Sequence, residues 1–439
     1  MKGLVAVCLV YSIASTLGVA QNYGQCLVEM SQPQNLPIQS GPVPVVIIYV
    51  DFPDGRLADG SPPVLDSDLN LVANLDAVGS MGYTNPITRL KKARKYVYED
   101  YWDMMFSSDI YSGTVHPDYS THQYYNPPPG EGAGGNGPYD LTVYGSVYDY
   151  WNEVSYGHLQ IQAYQTRSGN SNKYHTGIVN RIDVANGKNY IRWITLDLPK
   201  SNYGKDSPKL DPIGAALSKV HALHQLPTTD ANYIEFDTTG YPPTGKIAVV
   251  TAGGILGGWA YVGRQNFILP EKMDYLTNYF SSVIFDGITG LAHEFGHTIG
   301  LGHEAVGSWD IMHWGGFGDR SYYFCPPHLN VRAKLQAHWL TGGDTIKIGS
   351  TTNFALYPIT SAQSPKVAIV KVYGDGGRSG VWTAQGDWKH SEYYLLEYRK
   401  REKFNRFAGG PAAPQGFTGG VLIWEDVPNT GEGSLRRSS

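Results

Sequence analysis

The chain has 439 residues, charged residues at only 17%, a formal net charge of −5, and abundant glycine (52) and tyrosine (32). That length suits one large domain with a smaller companion, or two of middle size. The absence of a basic excess argues against a nucleic-acid partner, and no run of like charge marks an interaction tail.

Residues 1–20 read as a signal peptide. Lys2 gives a short positive start, Leu4 to Ile13 an apolar run, and Gly18-Val19-Ala20 small residues before a cut ahead of Gln21. The apolar run is too short to span a bilayer, and no other stretch approaches about 18 apolar residues. The expected product is therefore secreted and extracellular, with no stable membrane association. An N-terminal segment follows over 21–43. Of three cysteines, Cys8 leaves with the leader, so Cys26 and Cys325 remain. In an oxidising compartment their simplest fate is one disulfide. A Cys26 thiolate covering a metal until activation is the competing reading, though Tyr-Gly-Gln-Cys-Leu-Val-Glu lacks the expected flanks.

Pro44 to Val50 is a continuous apolar, β-branched run closed by Asp51-Phe-Pro-Asp-Gly, which predicts a buried central strand and a turn. Residues 92–106 carry apolar and aromatic side chains at helical spacing, as a core-facing helix does. Residues 126–138, rich in proline and glycine, predict an irregular surface loop. Over Gly145 to Gly157 a helix is expected, with Ser146 as N-cap and Asp149 at the third helical position. His158 to Tyr164 alternates as a strand. Lys246 to Ala252 is another buried strand, opening into a glycine-rich stretch over 253–259. That stretch either admits a peptide backbone against a sheet edge or is a plain loop. His221 and His224, three apart on a probable helix, have no acidic or cysteine partner in register and read as surface residues.

The densest signal lies in a predicted helix from Gly287 to Leu301. Residues 293–304 read His-Glu-Phe-Gly-His-Thr-Ile-Gly-Leu-Gly-His-Glu. His293 and His297 fall one turn apart on one helix face. Gly300 suits the left-handed turn that ends the helix, and His303 is then carried back as a third ligand. Three imidazoles and an open fourth position are what a catalytic zinc requires, and Glu294 beside the first ligand is placed to take a proton from water. With 13 histidines in the chain, a bare His-Glu-x-x-His arises by chance in roughly one or two such sequences per hundred. Requiring Gly300 and His303 lowers that by about three further orders of magnitude.

Nine residues beyond His303 comes Met312, within Ser-Trp-Asp-Ile-Met-His-Trp. The extended zinc motif followed by a methionine turn is similar to the metzincin signature. Met312 would then pack as a soft thioether beneath the imidazoles. Trp314 stands where some metzincins carry tyrosine, which leaves Tyr322 and Tyr323 as candidates for steadying an oxyanion. After Trp339-Leu-Thr-Gly-Gly the pattern changes to short alternating runs, Val367–Val372, Tyr393–Tyr398 and Gly420–Trp424, separated by turns. The expected division is a catalytic domain over 44–342 and a β-rich C-terminal module over 343–439. The fold class expected is α+β: a mixed twisted sheet with an active-site helix, as in metzincins, then the β-rich module.

Several separated segments together resemble the immune inhibitor A family of secreted zinc metallopeptidases. They are Val45 to Phe52, Gly145 to Gly157, the zinc motif, Trp309-Asp-Ile-Met, Pro327 to Leu340, Glu392 to Arg399 and Gly419 to Trp424. The resemblance implies His293 and His297 as zinc ligands and Glu294 as catalytic base. His303 departs from the acidic ligand common in that family and is more like a general metzincin's. Bound Ca2+ is also frequent there, with ligands that do not map onto this chain. The function expected is a secreted zinc endopeptidase, monomeric and acting on protein or peptide substrates. Competing readings are a binding or adhesion protein whose structural zinc takes His313 as a fourth ligand, and a zinc amidase or deacetylase.

Overall fold

The structure, a computed structural model, describes residues 38–53, 102, 104–108, 145–167, 174–179, 181–183, 189–191, 194–204, 208–230, 232–251, 259–260, 262–270, 287–303, 309–313, 326–341, 345–348, 354–371, 393–405, 418–426 and 435–437. Outside them lie residues 1–37, with the expected leader and Cys26, as well as Cys325, Trp314, Tyr322, Tyr323, the 126–138 stretch and most of the glycine-rich 253–259 stretch.

In chain order the first elements are β1 (Gly41–Asp51), α1 (Val147–Val154) and β2 (Leu159–Ala163). Two small hairpins follow: β3 (Gln165–Arg167) with β4 (Tyr174–Thr176), and β5 (Arg181–Asp183) with β6 (Asn189–Ile191). Next come β7 (Ile194–Thr195), α2 (Pro212–His224), β8 (Lys246–Thr251), β9 (Trp259–Ala260) and β10 (Asn266–Pro270). After them come α3 (Gly287–Thr298) and α4 (Val331–Gln336). The chain closes with β11 (Thr345–Ile348), β12 (Val367–Lys371), β13 (Tyr393–Lys400), β14 (Gly419–Asp426) and β15 (Leu435–Arg437).

The first sheet has the order β2-β1-β8-β10-β9, with β7 also on β1; all pairs are parallel except β9 on β10. A parallel sheet covered on both faces needs apolar side chains at every position, which is why the unbroken Val-Val-Ile-Ile-Tyr-Val run occupies its centre. Val43, Val45, Ile47 and Tyr49 enter one core with α1 and α3, while Val46, Ile48 and Val50 enter a second with α2. The second sheet has the order β11-β12-β13-β14-β15 and is antiparallel apart from β11 on β12. The architecture is thus mixed: a largely parallel sheet with helices, and a separate, largely antiparallel sheet.

Local chemistry accounts for the helix starts. At α1 the Ser146 hydroxyl accepts from the Asp149 N–H at 3.0 Å, and the Asp149 carboxylate accepts from the Ser146 N–H at 3.1 Å. That reciprocal box caps two otherwise orphaned donors, as the sequence led us to expect. Its buried stripe, Val147, Tyr150, Trp151 and Val154, packs toward α3, where Trp151 meets Phe295 at 5.7 Å between ring centres. Strands stand at the expected 44–50, 158–164 and 246–252, over Gly41–Asp51, Leu159–Ala163 and Lys246–Thr251, with Ala252 outside the described residues. Of the helix expected over 92–106, residues 102 and 104–106 are helical and the rest lie outside the described residues. No helix among the described residues is long and apolar enough to cross a membrane.

The second sheet packs against α4 and the turn that carries Trp309. Trp309, Val331 and Leu340 form one buried cluster with Val367, Ile369, Leu395, Leu422 and Trp424 of the second sheet. Within β13 the side chains of Leu395, Glu397 and Arg399 are all buried. A charged pair therefore stands on an inward face.

Candidate metal centre

α3 ends by an explicit device. Gly300 has φ +108°, a left-handed conformation that favours glycine. The Leu301 N–H donates back to the Gly296 carbonyl at 3.1 Å and the Gly300 N–H to the His297 carbonyl at 3.0 Å. This paired arrangement satisfies carbonyls that the helix would otherwise leave orphaned. The helix is three residues shorter than the sequence suggested, because the turn at 299–301 begins the reversal that returns His303. Lys246, at the start of β8, adds a further cap: its Nζ donates to the Thr298 carbonyl at 2.7 Å. Burial pushes this amine down to about 8.

The reversal brings the three histidines together. The Nε2 atoms of His293, His297 and His303 form a triangle with every side 3.2 Å. Among the described residues this is the one cluster of three or more His, Cys, Asp or Glu able to hold a metal ion, and His313 is outside it. The orientation of two rings is set from behind. His293 Nδ1 faces the Ile311 carbonyl at 2.6 Å and His297 Nδ1 faces the Leu301 carbonyl at 2.8 Å. A carbonyl oxygen only accepts, so each Nδ1 carries the proton and each Nε2 presents a lone pair.

Electrostatics agree with that assignment. Burial, then His303, holds His293 down at about 3. Burial, then His293 and His303, holds His297 well below the ordinary histidine range. Burial, then His313, lowers His303 to about 4. All three rings are neutral near pH 7. The lone pairs of His293 and His297 thus face each other at 3.2 Å with no proton between them. A cation at their centre resolves that repulsion. Nitrogen ligands at about 2.0–2.1 Å in tetrahedral array stand roughly 3.3 Å apart, close to the observed triangle, and the neutral imidazole set suits a borderline ion such as zinc.

Glu294, adjacent to His293 on the buried helix, is itself buried at 3% exposure. Met312 lies beneath the helix, fully buried; a Cβ placed on Gly296 would stand 2.5 Å from its Sδ. His221 and His224 join no metal cluster among the described residues; His224 Nδ1 instead meets the Ile234 carbonyl at 3.0 Å.

Sequence reasoning passed over the residues that hold the turn at 309–313. Asp310 Oδ1 accepts from the Met312 N–H at 2.6 Å, and Oδ2 accepts from the Asn330 Nδ2 at 2.7 Å and from the Asn330 backbone N–H. Burial lifts this carboxyl above its usual range, against the opposing pull of those donors and of Arg399. The signal existed in Trp309-Asp-Ile-Met: an aspartate two residues before a methionine can close an Asx-type turn on the methionine N–H. Nearby, His328 sits between Glu153 at 2.8 Å and the Lys334 amine at 2.9 Å. Burial, then Lys334, keeps His328 well below its ordinary value, so it is a neutral bridge.

The fold and site define a three-imidazole, metal-competent centre on a helix that packs against a parallel sheet. Compared with protein-family models and with curated proteins, the chain matches none.

Proposed function

We propose that this protein is a secreted zinc-dependent endopeptidase of metzincin type, similar to the immune inhibitor A family. The observation that carries the reading is the 3.2 Å triangle of neutral Nε2 atoms, two of them on a helix that also buries Glu294. His293, His297 and His303 would hold the ion. When bound, zinc supplies Lewis acidity toward the scissile carbonyl and toward water.

The chain's own residues do the rest. Glu294 accepts the proton of the attacking water and delivers it to the leaving amine nitrogen, so one carboxylate serves both halves of the reaction. Burial strengthens its interaction with the developing charge. The Ile311 and Leu301 carbonyls hold two ligand rings in a single tautomer, which keeps their lone pairs aimed at the ion. Protein or peptide substrates would lie extended along β9, the antiparallel end strand of the first sheet, beside α3. Main-chain hydrogen bonding there would accept many sequences.

The test is Glu294→Gln in the purified chain, with zinc content and casein hydrolysis measured together. We expect zinc to be retained while cleavage falls on the order of 10²–10⁴-fold. Unchanged cleavage would remove Glu294 from the mechanism. A wild-type protein that holds zinc and produces no peptide fragments would remove the endopeptidase reading.

A further inference from the structure

The Ile311 carbonyl that orients His293 belongs to a short turn over 309–313. What holds it comes from elsewhere in the chain. Arg399 reaches from β13 with its whole guanidinium: Nη1 donates to the Trp309 carbonyl at 2.5 Å and to the His328 carbonyl at 3.1 Å, and Nη2 donates to the Leu329 carbonyl at 3.1 Å. Its other edge is fixed by Glu397, whose Oε1 accepts from Nε at 2.9 Å and lies 2.8 Å from Nη2. Trp424 of β14 donates to the same carboxylate oxygen at 2.8 Å.

One planar fork thus pins two segments of chain, at 309 and at 328–329. Asp310 ties the same two segments together through Met312 and Asn330. The connected path runs from Glu397 to Arg399, to the Trp309 carbonyl, along the turn to the Ile311 carbonyl, and so to His293 Nδ1. Arginine suits this task where lysine does not, because its donors are fixed in one plane and reach several acceptors at once.

We propose that Arg399 and Asp310 are positioning residues for the metal ligand His293, so that the second sheet is a working part of the metal centre. The proposal rests on the metal-centre reading but not on peptidase activity, because its readout is metal binding. Partners that orient metal-bound histidines are worth roughly 10–100-fold in affinity. Coupling is also reciprocal, so a metal held through this path must in turn tighten β13.

The experiment measures the zinc dissociation constant of the full chain by competition with a chromophoric chelator, well below each variant's unfolding temperature. The variants are Arg399→Lys, the charge-balanced pair Arg399→Met with Glu397→Gln, and Leu395→Ala as a control. Leu395 is buried on the same face of the same strand and shares the Trp309 cluster, so its loss loosens the packing beside the turn while leaving the guanidinium hydrogen bonds that pin it. We expect both Arg399 variants to bind zinc at least about tenfold more weakly, and Leu395→Ala to stay within about twofold of wild type. Affinity unchanged in Arg399→Lys overturns the proposal, as does an equal loss in Leu395→Ala.

Hydrogen exchange of the unaltered protein gives a second measurement that no folding failure can spoil. Removing zinc with a chelator is expected to speed amide exchange over 393–400 as well as over α3. Acceleration confined to α3 would overturn the coupling. A protein that binds zinc but cuts nothing would remove the peptidase reading and leave these binding outcomes to decide the proposal.

Discussion

The two faces of the first sheet are built from alternate residues of the same strands, and they differ in what their cores contain. On β10, Phe267 enters the core shared with α1 and α3, where its ring lies 6.4 Å from that of Phe295. Its neighbour Ile268 enters the core beneath α2. Both are fully buried. Among the described residues the α2 face is closed by an apolar core and holds no cluster able to bind a metal ion. The α3 face is closed by a helix that also carries two imidazoles and a carboxylate, with the third imidazole, His303, on the turn that follows and Met312 packed beneath. Burial is therefore no guide to role here; what matters is which helix the buried side chain supports.

The largest expected difference follows from Glu294→Gln, which should cost activity on the order of 10²–10⁴-fold while sparing zinc and stability. No single substitution on the α2 face should approach that. Next come the adjacent truncations on β10. Phe267→Ala and Ile268→Ala should each cost about 2–5 kcal/mol in denaturant unfolding. Only Phe267→Ala should also weaken zinc binding, because only that cavity opens against α3. Equal zinc affinities in the two variants would break the comparison.

Much of the α3 face was legible in the sequence because its logic is local. His293 and His297 share a helix face by periodicity, Gly300 marks the reversal, and Ser146 with Asp149 forms a box three residues wide. The unbroken apolar run at 45–50 likewise announces burial on both faces. What could not be read joins positions far apart in the chain. Arg399 lies ninety residues from Trp309, and no period connects them. The alternation in β13 is also inverted relative to the usual reading. Glu397 and Arg399 would be assigned to solvent, yet they are buried while Tyr394, Leu396 and Tyr398 are half-buried. Lys334 misleads in the same way, as a lysine in a helix that is wholly buried.

Lys334 extends the comparison to a third region and to pH. Burial, chiefly, lowers its amine from the ordinary lysine value of 10.5 to about 7. Below pH 7 both folded and unfolded chains carry the proton, so the cost of burying the charge is present in full. Between about 7 and 10.5 the unfolded chain keeps the proton and the folded chain does not, so stability rises with pH. The slope is at most about 1.4 kcal/mol per pH unit. Lys334→Met should remove that rise from the pH dependence of unfolding. Parallel curves for variant and wild type across this window would show that the amine does not titrate there.

Gly296→Ala acts at the floor of the centre. The added methyl meets Met312 Sδ at 2.5 Å, Met312 Cε at 3.1 Å and Trp151 at 3.3 Å. A flexible thioether can move, so the expected cost of overpacking is about 1–3 kcal/mol, partly offset by the better helix propensity of alanine. Displacing Met312 should shift the zinc affinity while the α2 face stays intact.

The smallest effect tests the other face alone. Asp211 caps α2, its carboxylate accepting from the Ile213 and Gly214 N–H groups, each at 3.0 Å, ahead of Pro212 in the first turn. Asp211→Ala leaves those donors to water and removes a negative charge from the positive end of the helix dipole, for a loss of about 1 kcal/mol. α2 packs through Ile213, Ala216 and Val220 into the core that excludes α3. The helix should therefore fray at its first turn, lowering the unfolding midpoint slightly, with zinc affinity unchanged. A zinc affinity that fell with the cap would mean that the sheet transmits strain between its faces, and the two cores would have to be treated as one.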